Sequence, residues 1–423
     1  MLFRQLRNAG FLVHDGILNY VAHPISEEQV LMSFQGAARA ALRGKSFVRG
    51  TLVAAMVLSI ALFVSCQGNK KVPVFGQSQN AYVTLPNSGS VLLVRINQIT
   101  GAITSESQTP QVAGTSPNGL ALLANKFLYA ANSQANTVSI FNVASDGTLT
   151  QNGTPVPDGG SGPSNAVIDP SGKYLLVSNS LSSNVSVFSI DTSSGALTAV
   201  AGSPFYANEG PGDILVPAVG NLVYVSNSAI GTVTAFNFNT STGALTPVAH
   251  SPFYSGPGAS GLAVDATGSF LYVANTSAVN PQSSTVGNIS AYSINATAGA
   301  TYGDLSPVDG SPFTAIAGSG PTALVVDPNN RFLFATTPGA NYSIWCFTIS
   351  SNGQLTEVLN SPFSVAAGAL FAIIDSKGNF FYIGSPSGIQ AYTYDQNTGQ
   401  PSVIESSPFS TNGTPPGKMV IAP

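Results

Sequence analysis

Charge is the scarcest ingredient of this 423-residue chain: Asp, Glu, Lys and Arg together make up 8% of it. Beyond Cys66 there are eight Lys and Arg against fifteen Asp and Glu. A nucleic-acid surface needs clustered cations to displace counterions from phosphate, so that class of partner is excluded. Cysteine is nearly missing; Cys66 and Cys346 give no disulfide framework. Histidine is the ordinary acid and base near neutral pH, and His250 is the only one beyond Cys66. No His/Cys/Asp cluster has metal-ligand spacing and no Gly-rich loop opens a helix, so neither a metal nor another cofactor is expected. Turn material, in contrast, is plentiful. With 43 Gly, 28 Pro and many Ser, Thr and Asn, the chain suits short strands and tight turns, not long helices beyond the N-terminus.

The stretch TLVAAMVLSIALFV, Thr51 to Val64, follows Arg43, Lys45 and Arg49 and leads to Ser65-Cys66. A basic region, an apolar core of about 7–15 residues and a small residue before the cut form an export signal. A membrane-spanning helix would want about 20 apolar residues. The end FVSC resembles a bacterial lipobox, which implies a lipid anchor on Cys66. Gln67 behind it points to the outer membrane or the periplasm. The alternative is a short signal anchor that stays uncleaved. On this reading residues 1–49 are an N-terminal extension and basic region, with Met32 as the start or else an unusually long leader. Residues 50–66 are the signal, 67–79 a polar tether and 80–423 the folded domain.

That domain is periodic. Tyr82-Val83-Thr84, Tyr129-Ala130-Ala131-Asn132, Leu176-Val177-Ser178-Asn179, Tyr224-Val225-Ser226-Asn227, Tyr272-Val273-Ala274-Asn275, Phe334-Ala335-Thr336-Thr337 and Tyr382-Ile383-Gly384 recur at steps of 47, 47, 48, 48, 62 and 48. Each repeat parses into four strand-like segments, as in GLAVD, FLYVAN, ISAYSI and LSPVDGSPF. Four strands per 40–50 residues predict an all-β, seven-bladed β-propeller of four-stranded antiparallel blades. The first repeat lacks its first strand and the chain finishes on an extra one, PPGKMVIAP. The C-terminal strand is therefore expected to complete the N-terminal blade and leave no open edge. The long fifth repeat carries its excess in SAVNPQSSTVG and TAGATYG, which read as loops. Ser-Pro-Phe recurs at residues 203, 251, 311, 361 and 407 and reads as the end of each outer strand, where proline blunts an edge.

The YVAN and YVSN strands with GALTPV and LAVDPxG spacers resemble the YVTN-type repeats of bacterial surface propellers and the lactonase-like seven-bladed propellers, which include 6-phosphogluconolactonases. The resemblance spans about residues 80–423 and implies a central mouth as the site. In the lactonase-like enzymes a Pro-Arg-His opens the innermost strand. The matching triplets here are Pro117-Asn118-Gly119, Pro163-Ser164-Asn165, Pro211-Gly212-Asp213, Ala259-Ser260-Gly261, Pro321-Thr322-Ala323, Ala369-Leu370-Phe371 and Pro416-Gly417-Lys418. Arg and His appear in none of them.

Charges that break the repeat are the catalytic candidates: Glu209 and Asp213 in YANEGPGD, and Lys418 in the closing strand. Asn132, Asn179, Asn227 and Asn275, which end second strands, and Asn165 at the mouth are the ligand-binding candidates. The other reading of the strand-end asparagines is that they simply favour the turn that follows. Asp169, Asp265, Asp327 and Asp375 repeat at one turn and read as structural. His250 reads as a surface residue and Cys346 as buried and inert. Two functions fit. One is an exported, lipid-anchored, monomeric propeller that binds a protein, glycan or small molecule at its mouth without catalysis. The other is a lactonase-like hydrolase of a sugar lactone.

Overall fold

The computed structural model describes residues 11–14, 17–20, 78–104, 110–276, 287–316, 320–338, 343–365, 368 and 370–423. The signal stretch, Cys66, the tether up to residue 77 and the insertion at 277–286 lie outside these residues, so export and anchoring rest on the sequence. The chain divides into two units, 1–75 and 76–423. In the first, Phe11–His14 pairs with Ile17–Tyr20 as a hairpin.

The second unit is a ring of seven antiparallel sheets, each a blade. Blade 3 is representative. Its strands, from the centre outwards, are Pro163–Ile168, Tyr174–Asn179, Asn184–Ile190 and Leu197–Ala199. The second strand is buried along its whole length, because blades pack on both of its faces. Hydrophobic patterning therefore shows as a continuous apolar run there, as in YLLV, rather than as alternation. Each core cluster is shared by two neighbours: Leu176, Val185 and Val187 of blade 3 pack with Ile214, Val223 and Phe236 of blade 4.

Closure follows the expected route. Met419–Ile421 pairs with Ser78–Leu85, placing Val83 opposite Met419 and Ala81 opposite Ile421. The Thr84 amide donates to the Lys418 carbonyl at 2.9 Å, and the Gly417 amide donates to the Thr84 carbonyl at 2.8 Å.

Ser-Pro-Phe lies in a different place from the one its sequence suggests. The fourth strands stop earlier, and Phe205–Tyr206 forms a separate short segment that pairs with the start of the third strand. The outer position of the blade is thus split in two. Ser203 makes the join: its Oγ accepts the Val187 amide at 2.9 Å, a third-strand group that neither segment pairs. Ser251, Ser311, Ser361 and Ser407 do the same for Ala235, Ala291, Cys346 and Ala391. Phe205 then packs into the core between blades 3 and 4.

Tyrosines tie blade to blade. The buried hydroxyls of Tyr82, Tyr129, Tyr224, Tyr272 and Tyr382 donate to the carbonyls of Gly147, Gly195, Gly303, Gly353 and Gly101, each in the neighbouring blade. Gly303 belongs to TAGATYG in the long fifth repeat, so part of that insertion serves this contact. The repeated aspartates are structural as expected: Asp169 accepts the amides of Lys173 and Tyr174 at 2.8 and 2.7 Å, closing the turn to the second strand.

Candidate functional site

Innermost strands begin at one end of the ring with a local irregularity. Register shifts fall between Pro117 and Gly119, Pro163 and Asn165, Pro211 and Ile214, and Ala259 and Leu262. A bulge breaks the alternation of side chains and re-aims the residues beside it. Glycine helps: a Cβ on Gly119 would lie 2.7 Å from the Ala166 amide of the next blade, and one on Gly261 equally close to the Thr322 carbonyl. Neighbouring strands can therefore converge on the axis.

The result is a cavity of about 370 Å³ at the mouth. Its wall comes from the second and third members of the triplets, Gly119 excepted, among them Asn118, Ser164, Asn165, Asp213, Ser260 and Lys418, with Ser228, Leu324 and Ala372 added. Asp213 is held on several sides. Its carboxylate accepts the Asn165 side-chain amide from blade 3 and, at 2.9 Å, the Leu262 amide from blade 5. Its own amide donates to Ser226 Oγ at 2.9 Å. Lys418, from the strand that closes blade 1, brings Nζ to 3.8 Å from Asp213 Oδ1. Blades 1 and 4 are not neighbours, so this contact crosses the mouth. Both side chains remain reachable, at 36% and 23% exposure.

Of the sequence candidates, Asp213, Lys418 and Asn165 meet in this cavity. Glu209 is exposed on the loop ahead of blade 4 and is not part of the wall. Asn132, Asn179, Asn227 and Asn275 are almost fully buried and do not line it either. Their Nδ2 groups donate within the blade, to Ser139, Ser186, Thr234 and Ser290. Asn118, Ser260, Thr322 and Leu370 occupy the triplet positions and line the wall; position in the repeat was the signal for them, whereas charge was not. Ser228 carried no signal. His250 is exposed on the outer edge and pairs with Asp304 at 2.6 Å. Cys346 is buried, and burial pushes its thiol pKa up to about 12. Among the described residues no group of His, Cys, Asp and Glu is placed to hold a metal ion.

One buried carboxyl stands apart. In blade 5 Ser255 Oγ donates to Asn275 Oδ1 at 2.9 Å. The equivalent residue in blade 3 is Asp158, 1% exposed, whose Oδ1 has no partner; nor has Asn179 Oδ1. Burial raises the Asp158 pKa, against hydrogen bonds from Ser186, Gly160 and Asn179. A raised carboxyl pKa favours the folded state below the unfolded value and loses that contribution as pH rises through the folded one. Asp158→Ser, which copies blade 5, is therefore expected to stabilise the propeller at pH 7 by about 1 kcal/mol or more. The gain should vanish at pH 3, as thermal melts of both chains at the two pH values will read.

A seven-bladed ring with its pocket at one axial end defines the class of fold, and known proteins share it. Residues 73–208 match the family model described as Lactonase, 7-bladed beta-propeller. Among solved structures, the chain is similar to a Bacteroides fragilis protein provisionally named a 6-phosphogluconolactonase, with a TM-score of 0.68 and 20% identity over 83% of this chain and 99% of that one. It is also similar to the periplasmic gluconolactonase of Pseudomonas aeruginosa, with a TM-score of 0.65 and 18% identity over 81% and 99%. No curated protein sequence matches the chain significantly.

Proposed function

We propose that the chain is a lactonase-like hydrolase that opens a cyclic ester in the propeller mouth. The observation that carries this reading is the approach of Lys418 to Asp213 across the ring, inside a cavity of ligand size. The match of residues 73–208 to the lactonase family model supports it. So do the names of the similar folds.

Lactone hydrolysis needs a base for water and a positive group for the oxygen that becomes an oxyanion. Asp213 is fixed by Asn165 and the Leu262 amide, so its carboxylate can orient a water and accept its proton without reorganising. The Lys418 ammonium then stands where charge gathers on the carbonyl oxygen. As the tetrahedral centre collapses, the ring C–O bond breaks and Asp213 returns the proton to the departing alkoxide. The products are a carboxylic acid and a hydroxyl on one open chain.

Asp213→Asn retains the shape of the wall but cannot take a proton. Its kcat on glucono-δ-lactone is expected to fall about 100-fold or more, in line with removal of a general base. Lys418→Met should lower kcat by a comparable factor. If the parent chain hydrolyses neither this lactone nor an alkyl δ-lactone above the spontaneous rate, or if all three proteins hydrolyse them equally, the mouth is a binding site without catalysis. The hydroxyl and amide lining from Asn118, Ser164, Ser228 and Ser260 would suit that role.

A further inference from the structure

Two properties of the mouth bear on which cyclic ester enters it, and the inference rests on the hydrolase reading above. The first is charge. The Lys and Arg residues from position 78 onward are Arg95, Lys126, Lys173, Arg331, Lys377 and Lys418. Arg95 bonds Asn80 and the Asp146 carbonyl, Lys126 bonds the Thr192 carbonyl, and Arg331 bonds Gln396. Lys173 and Lys377 sit in the turns at the far end of the innermost strands, roughly 20 Å from the mouth at about 3.3 Å per residue. Lys418 alone lines the cavity among them, and it already faces the Asp213 carboxylate. A phosphate monoester carries close to two negative charges and is held by several cations or backbone amides. Here it would meet one shared lysine and a fixed anion.

The second property is a division of the wall. Blades 2 to 5 supply Asn118, Ser164, Asn165, Asp213 and Ser260. Blades 6 and 7, on the other side of the ring, supply Thr322 and then Ala323, Leu324, Leu370, Phe371 and Ala372, with Leu324 and Phe371 only 7% and 4% exposed because they also belong to the cores between blades. Leu370 stands where the other blades place Asn, Ser, Gly or Thr, and it is 47% exposed. An exposed leucine in a concave wall opposite a polar arc is an apolar half-site waiting for area to bury. At about 30 Å³ per small group, the cavity takes roughly a dozen non-hydrogen atoms. That suits a six-membered lactone with a short hydrocarbon tail.

We propose that the substrate class is an uncharged lactone bearing a hydrocarbon substituent, its ester edge on Asp213 and Lys418 and its tail on Leu370, and that sugar-phosphate lactones are excluded. The test compares kcat/KM for δ-decalactone, δ-valerolactone, glucono-δ-lactone and 6-phosphoglucono-δ-lactone. The pentyl tail should give δ-decalactone an advantage of about 10- to 100-fold over δ-valerolactone, as partial burial of several methylenes implies. The phosphate should lower the value for gluconolactone by about 100-fold or more. Leu370→Asn should shrink the ratio of δ-decalactone to δ-valerolactone several-fold, whatever happens to either rate.

Hydrolysis with equal rates for the two alkyl lactones, or with the phosphate preferred, overturns the substrate class and leaves the hydrolase reading in place. If none of the four is hydrolysed, calorimetric titration with 6-pentylpiperidin-2-one and piperidin-2-one separates the two ideas. Tighter binding of the pentyl lactam, lost in Leu370→Asn, supports the amphipathic mouth without the catalysis. Binding of neither, or of both alike, overturns both.

Discussion

A chain that stops at Pro415 is expected to lose most of the stability of the propeller. The missing strand, Met419–Ile421, is the innermost position of blade 1. Its removal strips the edge of Ser78–Leu85 and deletes Met419, 2% exposed, from the core that blades 7 and 1 share. The interstrand bonds of Thr84 with Gly417 and Lys418 go with it, as does the Ala422 amide to the Asn80 carbonyl at 2.9 Å. Removing a buried methionine costs about 2–5 kcal/mol, and each lost hydrogen bond adds about 1. Together these approach the roughly 5–15 kcal/mol that holds a domain folded. Urea unfolding monitored by circular dichroism should show a midpoint near zero denaturant, and a synthetic peptide of residues 415–423 should restore part of it. A truncated chain that unfolds at the parental midpoint would mean that closure contributes nothing.

Alkaline pH should unfold the protein over a narrow interval. Burial pushes the Tyr82 hydroxyl up to about 12, and burial also raises Tyr129, Tyr224, Tyr272 and Tyr382 above the ordinary value. In the unfolded chain all five ionise near pH 10. A raised pKa means that the folded state holds its proton longer. The stabilisation is therefore complete below pH 10 and lost as pH climbs from there through the folded values. Each tyrosine contributes a loss of up to about 1.4 kcal/mol per pH unit. Five titrating together exceed a typical folding free energy within about two units, which puts the transition at about pH 11 to 12. Tyrosinate absorbance near 295 nm and loss of sheet signal should rise together. Gradual ionisation around pH 10 with the sheets intact would show that the hydroxyls are not bound between blades.

The number of blades, their order and the closure were all legible in the sequence, because each depends on a period and a period survives local variation. The direction of individual side chains was not legible. Asn132 and its counterparts end second strands beside the mouth, yet neighbouring blades cover those strands on both faces, so their ends are core whichever way a side chain points. Residue type cannot reveal that double cover. At the triplets the bulges break the alternation, so that both Ser164 and Asn165 face the cavity where a regular strand would show one. Glu209, Asp213 and Lys418 were joint candidates in the sequence, but their spacing does not say which of the two acids the lysine meets where blades 1 and 4 face each other over a narrow axis. Ser203 and its repeats were missed for a simpler reason: the serine receives an amide from another strand, a bond with no local signature.

Core sharing between neighbours has a kinetic consequence. A nascent blade has one face of its second strand unprotected until the next repeat, some 47 residues later, arrives to cover it. Contacts across a blade junction are therefore short in sequence, and structure can spread repeat by repeat along the chain as in other modular folds. The closing step differs, because it joins Thr84 to Lys418 within blade 1 and so links the two ends of the domain. Its closure entropy grows only logarithmically with the length of the loop, so a long separation slows this step without making it unfavourable. Until it is complete, the Lys418 ammonium has no Asp213 to meet, and the candidate site does not exist on an open arc.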